Sequence, residues 1–137
     1  MKIQKNTTTR LVILLSLLFL ISGCRLFTEG KKKLDLYCPG LNIDINGVSY
    51  SVNGARDVYV LSYDPSLQKR VKNYFELKEN NFMEERDSRF FDIEIDDENI
   101  MDKSDNVIGK TIKTNKGNTE VAFNETTRRI IIVEYTQ

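Results

Sequence analysis

The residue types that most enzymes use for catalysis are sparse in this chain. Its 137 residues include no histidine, no tryptophan and two cysteines, Cys24 and Cys38. Without histidine the chain has no Ser-His-Asp or Cys-His nucleophile system and no imidazole zinc site. The sequence also lacks a nucleophile motif and a Gly-rich phosphate-binding loop. We therefore expect no enzyme activity, no resident metal and no cofactor.

The densest group of potential ligands is acidic and lies between residues 92 and 105. Calcium prefers several oxygen ligands, but an EF-hand loop that begins at Asp102 would need Gly at Val107 and Glu at Lys113. No spacing singles out a carboxylate pair for glycoside hydrolysis. We expect a solvated loop, with a cation site or an acidic surface for a basic partner as alternatives. The group consists of Asp92, Glu94, Asp96, Asp97, Glu98, Asp102 and Asp105.

The N-terminal residues have the layout of a secretory signal. Three bases, Lys2, Lys5 and Arg10, precede an apolar run over residues 11–21 that only Ser16 interrupts. Small residues and a cysteine follow this run, which is typical of a signal that is cleaved. The run is too short to cross a bilayer core, since a spanning helix needs about 20 apolar residues. We therefore expect a processed leader rather than a transmembrane anchor.

The end of this leader, Ile21-Ser22-Gly23-Cys24, resembles the lipobox of bacterial lipoproteins. The resemblance implies cleavage before Cys24, a diacylglycerol on the Cys24 sulfur and, usually, a fatty-acyl chain such as palmitate on the new amine. Two chains suffice for stable membrane anchoring. The alternative is an unmodified, buried Cys24 after an ordinary signal. Lipidation of Cys24 is the one site that we predict.

The lipoprotein resemblance also divides the chain and suggests where it resides. We predict a signal peptide over residues 1–23, a short lipidated tether over residues 24–33 and a single domain over residues 34–137. In Gram-negative bacteria, an Asp directly after the lipid-bearing cysteine is typical of retention in the inner membrane. Arg25 occupies that position. We therefore expect an outer-membrane location facing the periplasm.

The expected mature chain is mildly acidic. Three of the 20 bases lie in the leader, which leaves 17 bases against 20 acids and a net charge near −3. This charge argues against a nucleic-acid partner. The expected partners are the membrane, through the lipid on Cys24, and a protein.

Several shorter features allow two interpretations each. Lys31-Lys32-Lys33 is either a hydrophilic spacer or a contact with anionic headgroups. Cys38 is either a buried packing residue or a thiol that reacts with another chain, because lipidation uses the one cysteine that could pair with it. Asn124-Glu125-Thr126 formally matches an N-glycosylation acceptor, although we do not expect a bacterial lipoprotein to use it.

The pattern of residues 34–63 predicts strands joined by tight turns. Leu34–Cys38 alternates, and a hairpin is predicted around Asn46-Gly47, between residues 43–45 and 48–52. Asn53-Gly54 closes this hairpin segment, and Val58–Tyr63 is predicted to be a strand covered on both faces.

The rest of the mature chain adds a helix and further strands. A helix capped by Asp64-Pro65 is predicted to run to Lys78. Residues 82–89 are either a short helix or a loop, 91–95 a half-exposed strand and 96–105 a turn-like segment. Strands follow at 107–114, 119–123 and 130–133, the last one central. The expected fold class is α+β, with a mainly antiparallel β-sheet and one or two helices packed on one face.

The expected function follows from anchoring, size and the missing catalytic residues. We expect a lipid-anchored cell-envelope protein with a small, non-catalytic protein-interaction domain, with immunity or inhibitor proteins as the specific form. The alternative is a structural or small-ligand-binding envelope lipoprotein. That alternative needs an apolar pocket between the sheet and the helix 65–78.

Overall fold

The computed structural model describes residues 2–78, 94–95, 98–102, 104–115 and 117–135, which form an α+β fold. Within these ranges, two α-helices, α1 and α2, accompany seven β-strands, and a short 3-10 turn precedes α2. The elements in chain order are α1 (Lys2–Tyr37), β1 (Gly47–Asn53), β2 (Arg56–Ser62), the 3-10 turn (Pro65–Leu67), α2 (Gln68–Lys78), β3 (Glu94–Ile95), β4 (Glu98–Asn99), β5 (Val107–Thr114), β6 (Gly117–Asn124) and β7 (Arg129–Tyr135).

Five of the strands form one antiparallel sheet with the spatial order β1-β2-β7-β6-β5. The last strand in sequence, β7, lies at the centre, and its run Ile130–Val133 is completely buried. A strand that is apolar on both sides needs cover on both faces of the sheet. The predicted central strand at 130–133 is therefore confirmed.

The two faces of the sheet have different covers. Both helices lie on one face, where Leu34 and Tyr37 of α1 and Val71 and Phe75 of α2 join one apolar core. The Phe75 ring stacks on Phe123 of β6 at 5.2 Å between centroids. The opposite face is covered by the segment after the β3–β4 hairpin, which contributes residues 100–101 to a second core. The predicted arrangement, a mainly antiparallel sheet with one or two helices packed on one face, is confirmed.

The first hairpin forms at a different turn from the predicted one. Asn46-Gly47 is not the turn, because Gly47 is the first residue of β1 and pairs with Ser62 of β2. The chain reverses instead at Gly54, whose φ of +63° is a conformation that glycine adopts without strain. Both sites carry the Asn-Gly signal, but a reversal at Gly54 pairs seven residues on each strand. Residues 43–45 remain an extended segment outside the sheet.

The prediction of a strand at residues 34–38 is wrong, since residues 34–37 form the last turn of α1. Leu34, Tyr37 and Cys38 are buried, at the i, i+3, i+4 spacing of a helix face. Leu36 would face the same way as Leu34 in a strand, and it is 64% exposed. Packing against the sheet therefore selects the helical period over the alternating one.

The predicted helix after Asp64 is confirmed. The Ser66 amide donates to Asp64 Oδ1 at 2.9 Å, and the hydrogen bonds from the backbone and side chain of Ser66 lower the pKa of the Asp64 carboxyl. The first three residues form the 3-10 turn, and α2 continues to Lys78. Val71 and Phe75 provide the buried face that the helical spacing predicts.

The described part of the acidic region has a different secondary structure from the predicted one. Residues 94–95 form the end of the predicted strand 91–95, and residues 98–99, predicted as a turn, pair with them as β4. Residues 79–93, which include the predicted segment 82–89, lie outside the described residues, as do residues 96–97. Strand β5 has the predicted bounds of 107–114.

Candidate functional site around helix α1

Cys24, the predicted lipidation site, lies on the exposed surface of α1. Its backbone carbonyl accepts a hydrogen bond from Thr28 Oγ1 at 2.7 Å, and this bond lies on the exposed surface of the helix. The helix continues without a break from Cys24 to Tyr37. Residues 24–33, predicted to be a tether, are therefore helical, and residues 24–37 span about 21 Å at the rise of an α-helix.

The helix packs closely against the sheet at Gly30. A Cβ atom at this position would lie 2.7 Å from Val48 Cγ2 and 3.1 Å from Leu61 Cδ2. Only glycine lets the helix backbone come this close to β1 and β2. Gly30 is six residues after Cys24, so about 9 Å of helix separates the predicted lipid site from this close contact.

Two lysines of the basic run fasten α1 to the rest of the domain. Lys31 Nζ donates to the Ile43 carbonyl at 2.6 Å and to Asp35 at 3.2 Å. Lys33 Nζ lies 3.0 Å from the Glu134 carboxylate of β7. Lys32 is the exposed member of the run. The run is thus only in part available to solvent or to headgroups.

Glu134 is the centre of a half-buried polar cluster between α1 and the sheet. Its carboxylate accepts hydrogen bonds from Lys33 and, at 2.5 Å, from the Tyr37 hydroxyl. Thr119 of β6 donates to the same hydroxyl at 3.5 Å. Lys33 Nζ also lies 5.9 Å from the centre of the Tyr59 ring. The cluster joins α1, β2, β6 and β7 through polar contacts.

The electrostatics of this cluster favour the charged lysine and the neutral tyrosines. Burial alone would lower the pKa of Lys33, but the hydrogen bond and charge of Glu134 outweigh it and raise that pKa. Burial raises the pKa of Tyr37, and the hydrogen bond to Glu134 raises it further. Burial also raises the pKa of Tyr59. An ion pair that anchors a helix accounts for this arrangement without a reacting group.

Sequence reasoning missed this cluster, although β7 contains a signal for it. Ile130, Ile132 and Glu134 share one face of β7, because side chains alternate along a strand. The first two are completely buried in the core under the helices. When a carboxylate follows two buried residues on the same face of a strand, it indicates a buried or half-buried partner of opposite charge.

Among the described residues, one open cleft lies beside the cluster and a second is lined in part by the cluster itself. The first, which we name the anchor cleft, has a volume of about 760 Å³ and is lined by Cys24, Arg25, Leu26, Lys32, Tyr50 and Tyr59, among others. The second, the distal groove, has a volume of about 880 Å³ and is lined by Leu36, Asp57, Ile112, Thr114 and Glu134, among others. Leu36 is twelve residues after Cys24, so these two residues of the clefts lie about 18 Å apart along the helix axis.

The acidic stretch contributes a structural network in its described part. Asp105 is buried, and its Oδ2 accepts hydrogen bonds from the Asp102 amide and from Asn124 Nδ2, both at 2.9 Å. The neighbouring turn adds a hydrogen bond from Asn106 Nδ2 to Glu125 at 2.7 Å. These contacts fasten the segment before β5 to the turn between β6 and β7.

This network bears on two of the open interpretations. Asn124 is 0% exposed and donates its amide to Asp105, so it offers no surface for glycosylation. Within the part of the chain that the structure describes, no group of three or more His, Cys, Asp or Glu side chains could hold a metal ion. Most side chains of the acidic group lie outside that part.

The structure also places Cys38, the bases of α2 and the two helices. Cys38 is buried in the core under the helices, as the packing interpretation predicts. Lys72 of α2 contacts Glu125 at 2.8 Å, and the hydrogen bond to Glu125 raises the pKa of this lysine. Lys69 and Arg70 are exposed. Among the described residues, α1 and α2 contain no stretch that is both long and apolar enough to cross a bilayer.

Comparisons with models of protein families, with characterised proteins and with solved structures find no match to this chain.

Proposed function

We propose that this protein is a bacterial lipoprotein whose small, non-catalytic domain binds another protein at the cell envelope. The observation that carries the proposal is the position of Cys24. It ends the lipobox-like stretch, it is exposed on α1, and it lies about 9 Å of helix before the close contact that Gly30 makes with the sheet. A lipid on this sulfur would not disturb the packed core.

The position of α1 supports a division of the chain at Cys24. From Gly30 onward the helix contributes Leu34 and Tyr37 to the core, and Lys31 and Lys33 to polar contacts. The helix after Cys24 is thus part of the domain. A signal peptidase that cuts before Cys24 would remove none of these contacts.

A protein-binding role is favoured over a small-ligand role by the space between α2 and the sheet. The alternative function needs an apolar cavity at this place. Among the described residues, Val71 and Phe75 occupy this place, since both are completely buried and Phe75 stacks on Phe123. The distal groove instead has mixed polar and apolar walls with the exposed Leu36 at its edge, which is typical of a protein-binding surface.

The direct test is membrane fractionation of the Cys24→Ser variant with Cys38→Ala as the matched control. We expect Cys24→Ser to leave the membrane fraction or to keep its leader, because thioether attachment needs the sulfur. Cys38→Ala should remain processed and membrane-bound. A processed, membrane-bound Cys24→Ser protein would contradict the proposal.

The location in the outer membrane has its own test at Arg25. We expect Arg25→Asp to shift the protein to the inner-membrane fraction of a sucrose gradient and Arg25→Lys to leave it in place. Arg25 is exposed on α1, so neither substitution affects the packing of the core. If both variants stay with the parent protein, charge at this position does not direct the sorting.

A protein partner is sought by crosslinking from the distal groove. A photo-crosslinking residue at Leu36 faces the groove, whereas one at Arg70 lies on the exposed surface of α2. We expect a specific crosslinked species from position 36 in intact cells and none from position 70. Equal labelling from both positions would indicate random collision rather than binding in the groove.

A further inference from the structure

We infer that the domain rests on the bilayer with the β1 edge of its sheet, so that the anchor cleft faces the phospholipid headgroups. The inference rests on the proposed lipidation of Cys24 and goes beyond it. Anchoring alone specifies that the domain is near the membrane. The structure further specifies which side of the domain faces it.

The first step is the rigidity of the connection. A flexible tether would allow the domain to turn freely, but residues 24–37 are one helix that Gly30 brings into close contact with Val48 and Leu61. Lys31 and Lys33 add polar contacts within the next turn. The direction in which Cys24 leaves the domain is thereby fixed relative to the sheet.

The second step is the edge at which the helix leaves the sheet. Gly30 packs on β1 and β2, and β1 is a terminal strand of the five-stranded sheet. Toward its N-terminus the helix passes the β1 edge, where Cys24 and Tyr50 line the same cleft. The opposite terminal strand, β5, lies on the far side. A bilayer that holds the lipid on Cys24 therefore lies next to β1.

The third step is the chemistry of this side. Strand β1 contains no charged residue, and its Tyr50 and Val52 are 42% and 59% exposed on the face that carries α1. Tyrosine is enriched at the level of lipid headgroups, where its ring and its hydroxyl meet different surroundings. Arg25 and Lys32 line the anchor cleft and are exposed, and they outnumber the one acid of its lining, Glu29, so the cleft complements anionic headgroups.

The test uses the absence of tryptophan from the chain. Single tryptophans are introduced by Tyr50→Trp or Val52→Trp at the β1 edge and by Leu36→Trp at the distal groove. All three positions are exposed, so each variant should fold. The lipidated proteins are reconstituted into vesicles of phosphatidylethanolamine and phosphatidylglycerol that contain phosphatidylcholine brominated near the headgroup. Flotation of the vesicles reports anchoring separately from the fluorescence.

We expect roughly a twofold loss of emission for tryptophan at positions 50 and 52, because aromatic side chains at the headgroup level lie within reach of shallow bromines. We expect no loss at position 36, about 18 Å farther along the helix from Cys24. Proteins that float with the vesicles but show equal quenching at all positions, or quenching at position 36 alone, overturn the proposed orientation. If the mature protein isolated from membranes carries no lipid on Cys24, the anchoring itself is overturned, and the orientation with it.

Discussion

The two parts of α1 on either side of Cys24 have different surroundings. Before Cys24, the apolar side chains of residues 11–15 and Leu17 are each more than half exposed. After it, Leu34 and Tyr37 are buried, and Gly30 touches two strands of the sheet. A single helix thus joins an apolar segment that lies outside the domain core to a segment that belongs to it. The lipobox-like stretch lies at the boundary, which is where processing would separate them.

The largest expected effect comes from removing one part of the helix or the other. A chain of residues 24–137 should keep its cooperative thermal unfolding, because the removed side chains that the structure describes are exposed. A chain of residues 39–137 should not fold. It loses Leu34, Tyr37 and Cys38, each large buried side chain being worth about 1.5–3 kcal/mol. Circular dichroism during heating measures both. A cooperative transition in the shorter chain would contradict the comparison.

A pair of matched substitutions tests the same difference with single side chains. Leu34→Ala should lower the free energy of unfolding by about 2–5 kcal/mol, as expected for a buried leucine. Leu14→Ala, at 60% exposure in the first part, should change it by less than about 0.5 kcal/mol. Urea denaturation of the unprocessed chain measures both values. Similar losses for the two variants would mean that the parts of α1 are packed alike.

The sequence predicts the parts of this fold that depend on a few neighbouring residues better than the parts that depend on distant contacts. The Asp64 cap, the apolar run of β7 and the strand at 107–114 are local patterns, and each is confirmed. The position of the turn between β1 and β2 does not follow from neighbouring residues alone. Two Asn-Gly pairs compete, and the number of residue pairs gained across the sheet selects Gly54.

The candidate site also depends on distant contacts, as the part of α1 that packs on the sheet shows. Leu34 to Cys38 satisfies both an alternating and a helical pattern, and contact with the sheet decides between them. The roles of Lys31 and Lys33 depend on Ile43 and Glu134, which come together only in the folded chain. The alternation in β7 indicates that Glu134 has a partner of opposite charge, but no spacing along the sequence identifies that partner as Lys33.

A smaller effect is expected at the cluster that fastens the helix. Glu134→Gln removes the charge that Lys33 faces while it keeps the shape of the side chain. We expect a loss of about 1–3 kcal/mol in the free energy of unfolding, because a half-buried ammonium group loses its partner. Glu29→Gln is the control, since Glu29 lies 4.0 Å from the same lysine and is more exposed. If the two variants lose equal free energy of unfolding in urea denaturation, the stabilisation comes from any negative charge near Lys33 and not from the contact with Glu134.

The smallest effect concerns alkaline pH. Burial raises the pKa of Tyr63 to about 12, and it also raises the pKa of Tyr37 and Tyr59 above the ordinary value of 10.0. The folded state therefore holds these protons more tightly than the unfolded chain. Their contribution to stability is complete below pH 10 and is lost as the pH rises toward 12. Absorbance of tyrosinate near 295 nm should show late titration of Tyr63, which Tyr63→Phe abolishes. Titration of every tyrosine near pH 10 would contradict this burial.

The mass of the mature protein tests most directly whether the chain divides at Cys24. Protein extracted from membranes with detergent is measured intact and after deacylation. We predict a chain that begins at Cys24 and carries a diacylglyceryl group on its sulfur, with the additional mass of a fatty-acyl chain on its amine. A mature chain that begins at another residue, or an unmodified Cys24 in a membrane-bound protein, would contradict the account.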